Sequence, residues 1–218
     1  MMSKTTNDLI ANLSTDLKPV HRLAPPGKRL ITWVLVALPI SLTCGYFVEN
    51  RNLALAVERL QDPRTLLELC AILLTALMAG YAALSSAQPG RSSKVWLLPV
   101  IPFAFWFSLI GESCWRLFEQ VGPDTFSMAP HWVCYPAVAV TGFAPALGIA
   151  ALLSRGMLTN PTVTFSMGVL AASALGALGL RLFHQPDATV LLLLWQMIAT
   201  LSFMAMASLI SSYVYRRV

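Results

Sequence analysis

Apolar residues along this chain gather into six long runs, over about 30–48, 65–87, 95–111, 132–153, 162–183 and 188–214, parted by short polar stretches. A helix of about 20 apolar residues at 1.5 Å rise matches the roughly 30 Å hydrocarbon core of a bilayer. The pattern predicts an all-α, polytopic membrane protein. It divides into a six-transmembrane-helix bundle over 30–218 and a polar tail over 1–29. The third run is the shortest and carries Pro99 and Pro102, so a kink or an irregular start is expected there. Connections fall near 49–64, 88–94, 112–131, 154–161 and 184–187. In the fifth run Gly168, Ala172 and Gly176 recur at four-residue spacing, which admits a close neighbouring backbone and predicts a helix buried among the others.

Composition narrows the class. Hydrophobic residues make up 56% of the 218 and charged residues 11%, against about a quarter charged in a water-soluble domain. The length suits one bundle and no second folded domain. The net charge of +5 is scattered around the ends of the runs, which fits topology better than direct nucleic-acid binding. Residues 1–29 are too polar for a signal peptide, and no small-residue cleavage site follows the first run, so that run reads as a retained anchor.

Lys and Arg set the direction. With the N-terminus inside, the inner segments hold Lys4, Lys18, Arg22, Lys28, Arg29, Arg91, Lys94, Arg155, Arg216 and Arg217. The outer side holds Arg51, Arg59, Arg64, Arg116 and Arg181. This bias favours both termini on the cytoplasmic side. Glu68 and Arg181 are the only charges inside the runs, each close to an outer end and within reach of interfacial water. A transporter would call for a midplane charge or paired broken helices, and neither is evident.

This topology sends Cys44, Cys70, Cys114 and Cys134 to the outer side, with His131 and His184. Cys44 and Cys70 read as small buried hydrophobes. Cys114 and Cys134 bracket the longest outer loop, so a bridge between them is sterically plausible. Alternatively His131 and Cys134, three apart, share a helical face as soft metal ligands, with His184 or Cys114 completing the set. The sequence contains no HExxH, GxSxG, phosphate-binding Gly-rich loop or CxxC pair, so an enzyme is not expected. A contrasting reading is a small membrane thiol redox enzyme that exchanges outer thiols with a quinone. The four outer cysteines favour it; the lack of CxxC and of a cytochrome-like His pair speaks against it.

The tail carries its own pattern. Thr6 or Asn7 caps a helix expected to run to about Leu17, and Asp8 suits its positive end. Leu9, Leu13 and Leu17 recur every four residues with Ile10 beside them, one apolar stripe that Pro19 then ends. A lone helix this short is marginal in water, so it needs a dock. Its polar face is poor in basic residues, which favours a protein groove over the lipid surface.

Asp8-Leu9-Ile10, Leu13, Pro19-Val20-His21-Arg22-Leu23 and Pro25-Pro26, leading to Arg29 and Trp33, resemble the opening of the NrsF family. His131-Trp132-Val133-Cys134, Arg155-Gly156, Asn160-Pro161, the small residues from Gly168 to Gly179, Phe183-His184 and Trp195 extend the likeness over nearly the whole chain. The resemblance implies a six-span anti-sigma factor of the bacterial inner membrane that holds an extracytoplasmic-function sigma factor inactive. It assigns sigma binding to the tail, here Asp8, Leu9, Ile10, Leu13, Leu17, Pro19 and Val20. It also implies that two outer cysteines sense oxidants or heavy metals. One falls on Cys134; the other belongs in a His-Cys-Pro motif that reads His184-Gln185-Pro186 here. Three options follow: Cys114 substitutes, Cys134 reacts alone, or Cys134, His131 and His184 bind a transition metal such as Zn or Cu as the signal.

Overall fold

The computed structural model describes residues 6–15, 23–49, 53–122, 134–158, 160–183 and 190–215. Among them every regular element is helical. The helices are α1 (Thr6–Thr15), α2 (Pro26–Val48), α3 (Leu53–Gln61), α4 (Pro63–Ser86), α5 (Val100–Val121), α6 (Cys134–Leu153), α7 (Pro161–Phe183) and α8 (Val190–Tyr215), with a 3-10 turn at Ser93–Leu97 before α5. Five of them, α2, α4, α5, α6 and α7, are long and apolar enough to cross a membrane; within α8 the described apolar stretch is Met197–Tyr213.

Proline and capping residues set where helices begin. Pro25 and Pro26 open α2, where a missing N–H costs nothing because first-turn donors have no partner in the helix. Asp62 caps α4: its carboxylate accepts from the Arg64 and Thr65 amides at 3.3 and 3.0 Å and from the Thr65 hydroxyl at 2.6 Å. Hydrogen bonds from the Thr65 hydroxyl and amide hold the Asp62 carboxyl below the ordinary carboxylate range. Asn160 serves α7 in the same way, accepting from the Val163 amide at 3.3 Å.

Two stretches depart from the sequence reading. The connection expected over 49–64 contains α3, whose Leu55 and Ala56 are buried. The third apolar run was expected to end near 111, yet α5 continues to Val121. Side chains one turn apart sustain the extra length: Arg116 meets Glu112 at 2.6 Å, and Trp115 Nε1 donates to Glu119 at 2.8 Å. Hydropathy falls in that stretch while helicity persists.

Helix α7 is the centre of the bundle, packed against α2, α4, α6 and α8, and everything from Leu170 to Leu180 is buried. Its small residues make this possible. A Cβ at Gly179 would strike the backbone carbonyl of Ser41, and one at Gly45 would strike the carbonyl of Gly179, so α2 and α7 touch backbone to backbone. Earlier in α2, off the buried stripe of Trp33 and Ala37, Ile31, Leu35 and Val36 are exposed by 60%, 68% and 63%. A one-sided apolar surface of this size suits lipid as its solvent.

Pro145 interrupts α6 and cannot supply an N–H to the Thr141 carbonyl one turn earlier. Ser41 Oγ of α2 donates to that carbonyl at 3.5 Å, and Trp33 Nε1 donates to the Pro145 carbonyl at 3.0 Å. The α2–α6 seam is thus hydrogen-bonded at the Thr141 carbonyl that the helix proline frees and, one turn on, at the carbonyl of the proline itself.

Candidate functional site

The bundle has two polar ends. At the tail end the start of α2 meets the finishes of α4 and α6. Gln88 Nε2 reaches the Ala24 carbonyl at 3.4 Å, the Met157 amide donates to the Ala87 carbonyl at 3.0 Å, and Arg29 donates to the Leu152 carbonyl. At the far end α7 finishes beside the start of α4, which in turn meets the last turns of α5.

Helix α1 carries the expected tail determinants Asp8, Leu9, Ile10 and Leu13, with Leu9 and Leu13 one turn apart along it. Ile10 is 60% exposed, far more than a structural apolar contact requires. The Ser14 and Thr15 hydroxyls both donate back to the Ala11 carbonyl at 2.9 Å. Leu17, Pro19 and Val20 lie outside the described residues.

The far end centres on an ion pair that the sequence reading did not join. Arg181 of α7 grips Glu68 of α4 with two bonds, Nε–H to Oε1 at 3.0 Å and a terminal N–H to Oε2 at 2.8 Å. The side chains are 11% and 6% exposed, so neither is left to interfacial water. The fork geometry explains why both charges tolerate burial: each satisfies the other. Arg59 of α3 stands over the pair, its guanidinium value lowered by burial and then by the like charge of Arg181, and opposed by Glu68. A second, more exposed layer links Arg64 to Glu112 at 3.3 Å and to the Ser113 hydroxyl at 3.3 Å.

Cys114 follows directly on that layer. It sits on α5 instead of on a loop, half-buried and packed against the core. Cys44 is also half-buried, whereas Cys70, expected to be buried, is exposed on α4; an apolar thiol on a lipid-facing helix gains nothing from burial. Cys44 and Cys70 are free thiols. Cys134 is the first residue of α6, with its side chain outside the described set, as are His131 and His184. Among the described residues no group of three His, Cys, Asp or Glu side chains is arranged to hold a metal. The proposed ligands Cys134, His131 and His184 lie outside that set.

A signal for the buried pair was present in the sequence. Opposite charges in the second and fifth apolar runs, both near the same bilayer face, are each other's natural partners. Arg29 was legible in the same way: with Trp33 and Ala37 it falls on the buried stripe of α2.

A family model described as negative regulator of sigma F, NrsF, matches residues 13–216. The chain belongs to the NrsF family. No curated protein and no solved structure matches it.

Proposed function

We propose that this protein is a membrane-bound anti-sigma factor. It spans the bacterial inner membrane six times with both termini in the cytoplasm, and it sequesters an extracytoplasmic-function sigma factor through residues 1–29. The family match over 13–216 carries this reading; the basic bias of the tail end and the exposed Ile10 on α1 support it. The apolar positions Leu9, Ile10, Leu13 and Leu17, with Asp8, Pro19 and Val20, cover a surface that the sigma factor needs for RNA polymerase.

Release starts at the far end. Periplasmic oxidant or heavy metal acts at Cys134, with Cys114, His131 or His184 as partner, and Zn or Cu suits a thiol–imidazole set. The change passes through α7, which contacts α2 along its length, to the start of α2 and the tail. Moving a sigma factor from mostly bound to mostly free takes about 3–5 kcal/mol of differential stabilisation. One new covalent or metal bond supplies that, whereas a surface contact does not.

The test is co-purification of the full-length protein from membranes, alongside a variant with Leu9, Ile10 and Leu13 changed to Ser. A sigma factor held by the first and lost by the second is the expected result; equal recovery removes the tail from the interface. A second arm exposes wild type and Cys134→Ser to oxidant or Zn. Undiminished sigma release from C134S removes that cysteine from sensing.

A further inference from the structure

Arg29 is 6% exposed in the first turns of α2. One terminal nitrogen donates to the Leu152 carbonyl, while the other, Nη1, has no hydrogen-bond partner among the described residues. The charge of Arg155 bears on it from the end of α6. Lys28, Arg91, Lys94 and Arg155 surround this end with exposed positive charge, and no acid occurs in residues 23–48, 84–111 or 150–165. A buried guanidinium with a free donor, and only cations around it among the described residues of α2, α4, α6 and their ends, calls for an anion.

Leu152, whose carbonyl accepts from Arg29, also borders an apolar groove between α2 and α6. Trp33, Ala37, Ile40, Ala144 and Gly148 line the rest of it, with a volume of about 250 Å³. From Thr32 to Ile40 the groove runs about 12 Å along the helix at 1.5 Å per residue. Val36, 63% exposed, forms part of its rim, so the groove opens sideways towards lipid.

We propose that Arg29 and this groove form a binding site for one anionic phospholipid of the leaflet at the tail end. The phosphate lies at the Leu152 end of the groove, held by the exposed Arg155 and by the buried charge of Arg29 behind it, and an acyl chain follows the groove between α2 and α6. A site that combines a buried cation lacking a counter-charge with an apolar furrow one turn away fits a diacyl lipid better than a free anion. The proposal requires the helices to lie in a bilayer but not that the tail binds a sigma factor. It places a lipid headgroup where the tail joins the bundle.

The full-length protein in detergent, observed by native mass spectrometry, tests this. Phosphatidylglycerol and phosphatidylcholine with identical acyl chains are offered in competition, with inorganic phosphate as a third competitor. Two basic groups at the surface correspond to a preference for phosphatidylglycerol on the order of tenfold. Arg29→Gln is expected to bring the ratio near one. Ala144→Phe, which fills the groove without touching the guanidinium, is expected to reduce retention of phosphatidylglycerol. Equal retention of the two lipids by wild type, an unchanged preference in R29Q, or full retention by A144F would each overturn the site. Displacement of phosphatidylglycerol by millimolar phosphate would overturn the lipid assignment. If R29Q does not fold, Arg155→Gln and A144F decide the matter.

Discussion

Glu68→Gln removes the carboxylate that both Arg181 and Arg59 face. The pair it breaks is bidentate, at 3.0 and 2.8 Å, and its side chains are 6% exposed for Glu68 and 11% for Arg181. Removing one partner of such a pair leaves the other charge buried, at a cost of about 3–5 kcal/mol. Arg59 introduces an asymmetry, because it repels Arg181 and attracts Glu68. In E68Q two guanidinium groups confront each other without the carboxylate. In Arg181→Gln the carboxylate keeps the attraction of Arg59, so that loss is smaller. Unfolding of the purified protein in mixed micelles, followed by helicity as denaturing detergent rises, measures both. E68Q within about 1 kcal/mol of wild type would refute the burial argument, and an R181Q loss larger than that of E68Q would refute the role given to Arg59.

Three further outcomes are expected. Gly179→Ala places a methyl on the Ser41 carbonyl and should cost about 1–3 kcal/mol in the same assay, while Gly27→Ala, whose Cβ meets nothing, should be neutral or stabilising by up to about 1 kcal/mol. Trp33→Phe removes the bond to the Pro145 carbonyl at 3.0 Å, an oxygen that keeps its partner within α6, and should cost about 0.5–1.5 kcal/mol; a loss below a few tenths of a kcal/mol would deny that bond a structural role. The Asp62 cap should respond to acid with a definite sign. Its carboxyl lies below the ordinary 3.8, so its stabilisation is fully present above that value and is lost only as pH falls through the lowered one. Amide exchange at Thr65 should therefore stay protected at pH 4 and speed up in stronger acid, while Asp62→Asn flattens that dependence; the same acid response in the variant would contradict the assignment.

Much of the architecture was legible because lipid imposes a simple rule: a spanning helix needs a long apolar run. Helices α4, α6 and α7 overlie such runs, and the small residues of α7 announced its central position. Other features escaped because hydropathy records solvent and says little about pairing. Helix α5 outruns its apolar stretch because Glu112–Arg116 and Trp115–Glu119 carry the helix on through polar sequence. Helix α3 was hidden in a segment with Glu58, Arg59 and Asp62, where the short apolar set Leu55 and Ala56 gave too little periodicity. Glu68 and Arg181 stand 113 residues apart, and only the packing of α4 on α7 unites them. Cys114 looked like a loop thiol for the same reason that α5 looked short.

A photo-crosslinking residue placed at Ile10 of the intact protein in living cells tests the central claim most directly. The account predicts an adduct with a sigma factor from Ile10, diminished under oxidant or metal stress, and none from Leu35 on the outward apolar face of α2. A sigma adduct absent at Ile10, or equally strong at Leu35, would contradict it.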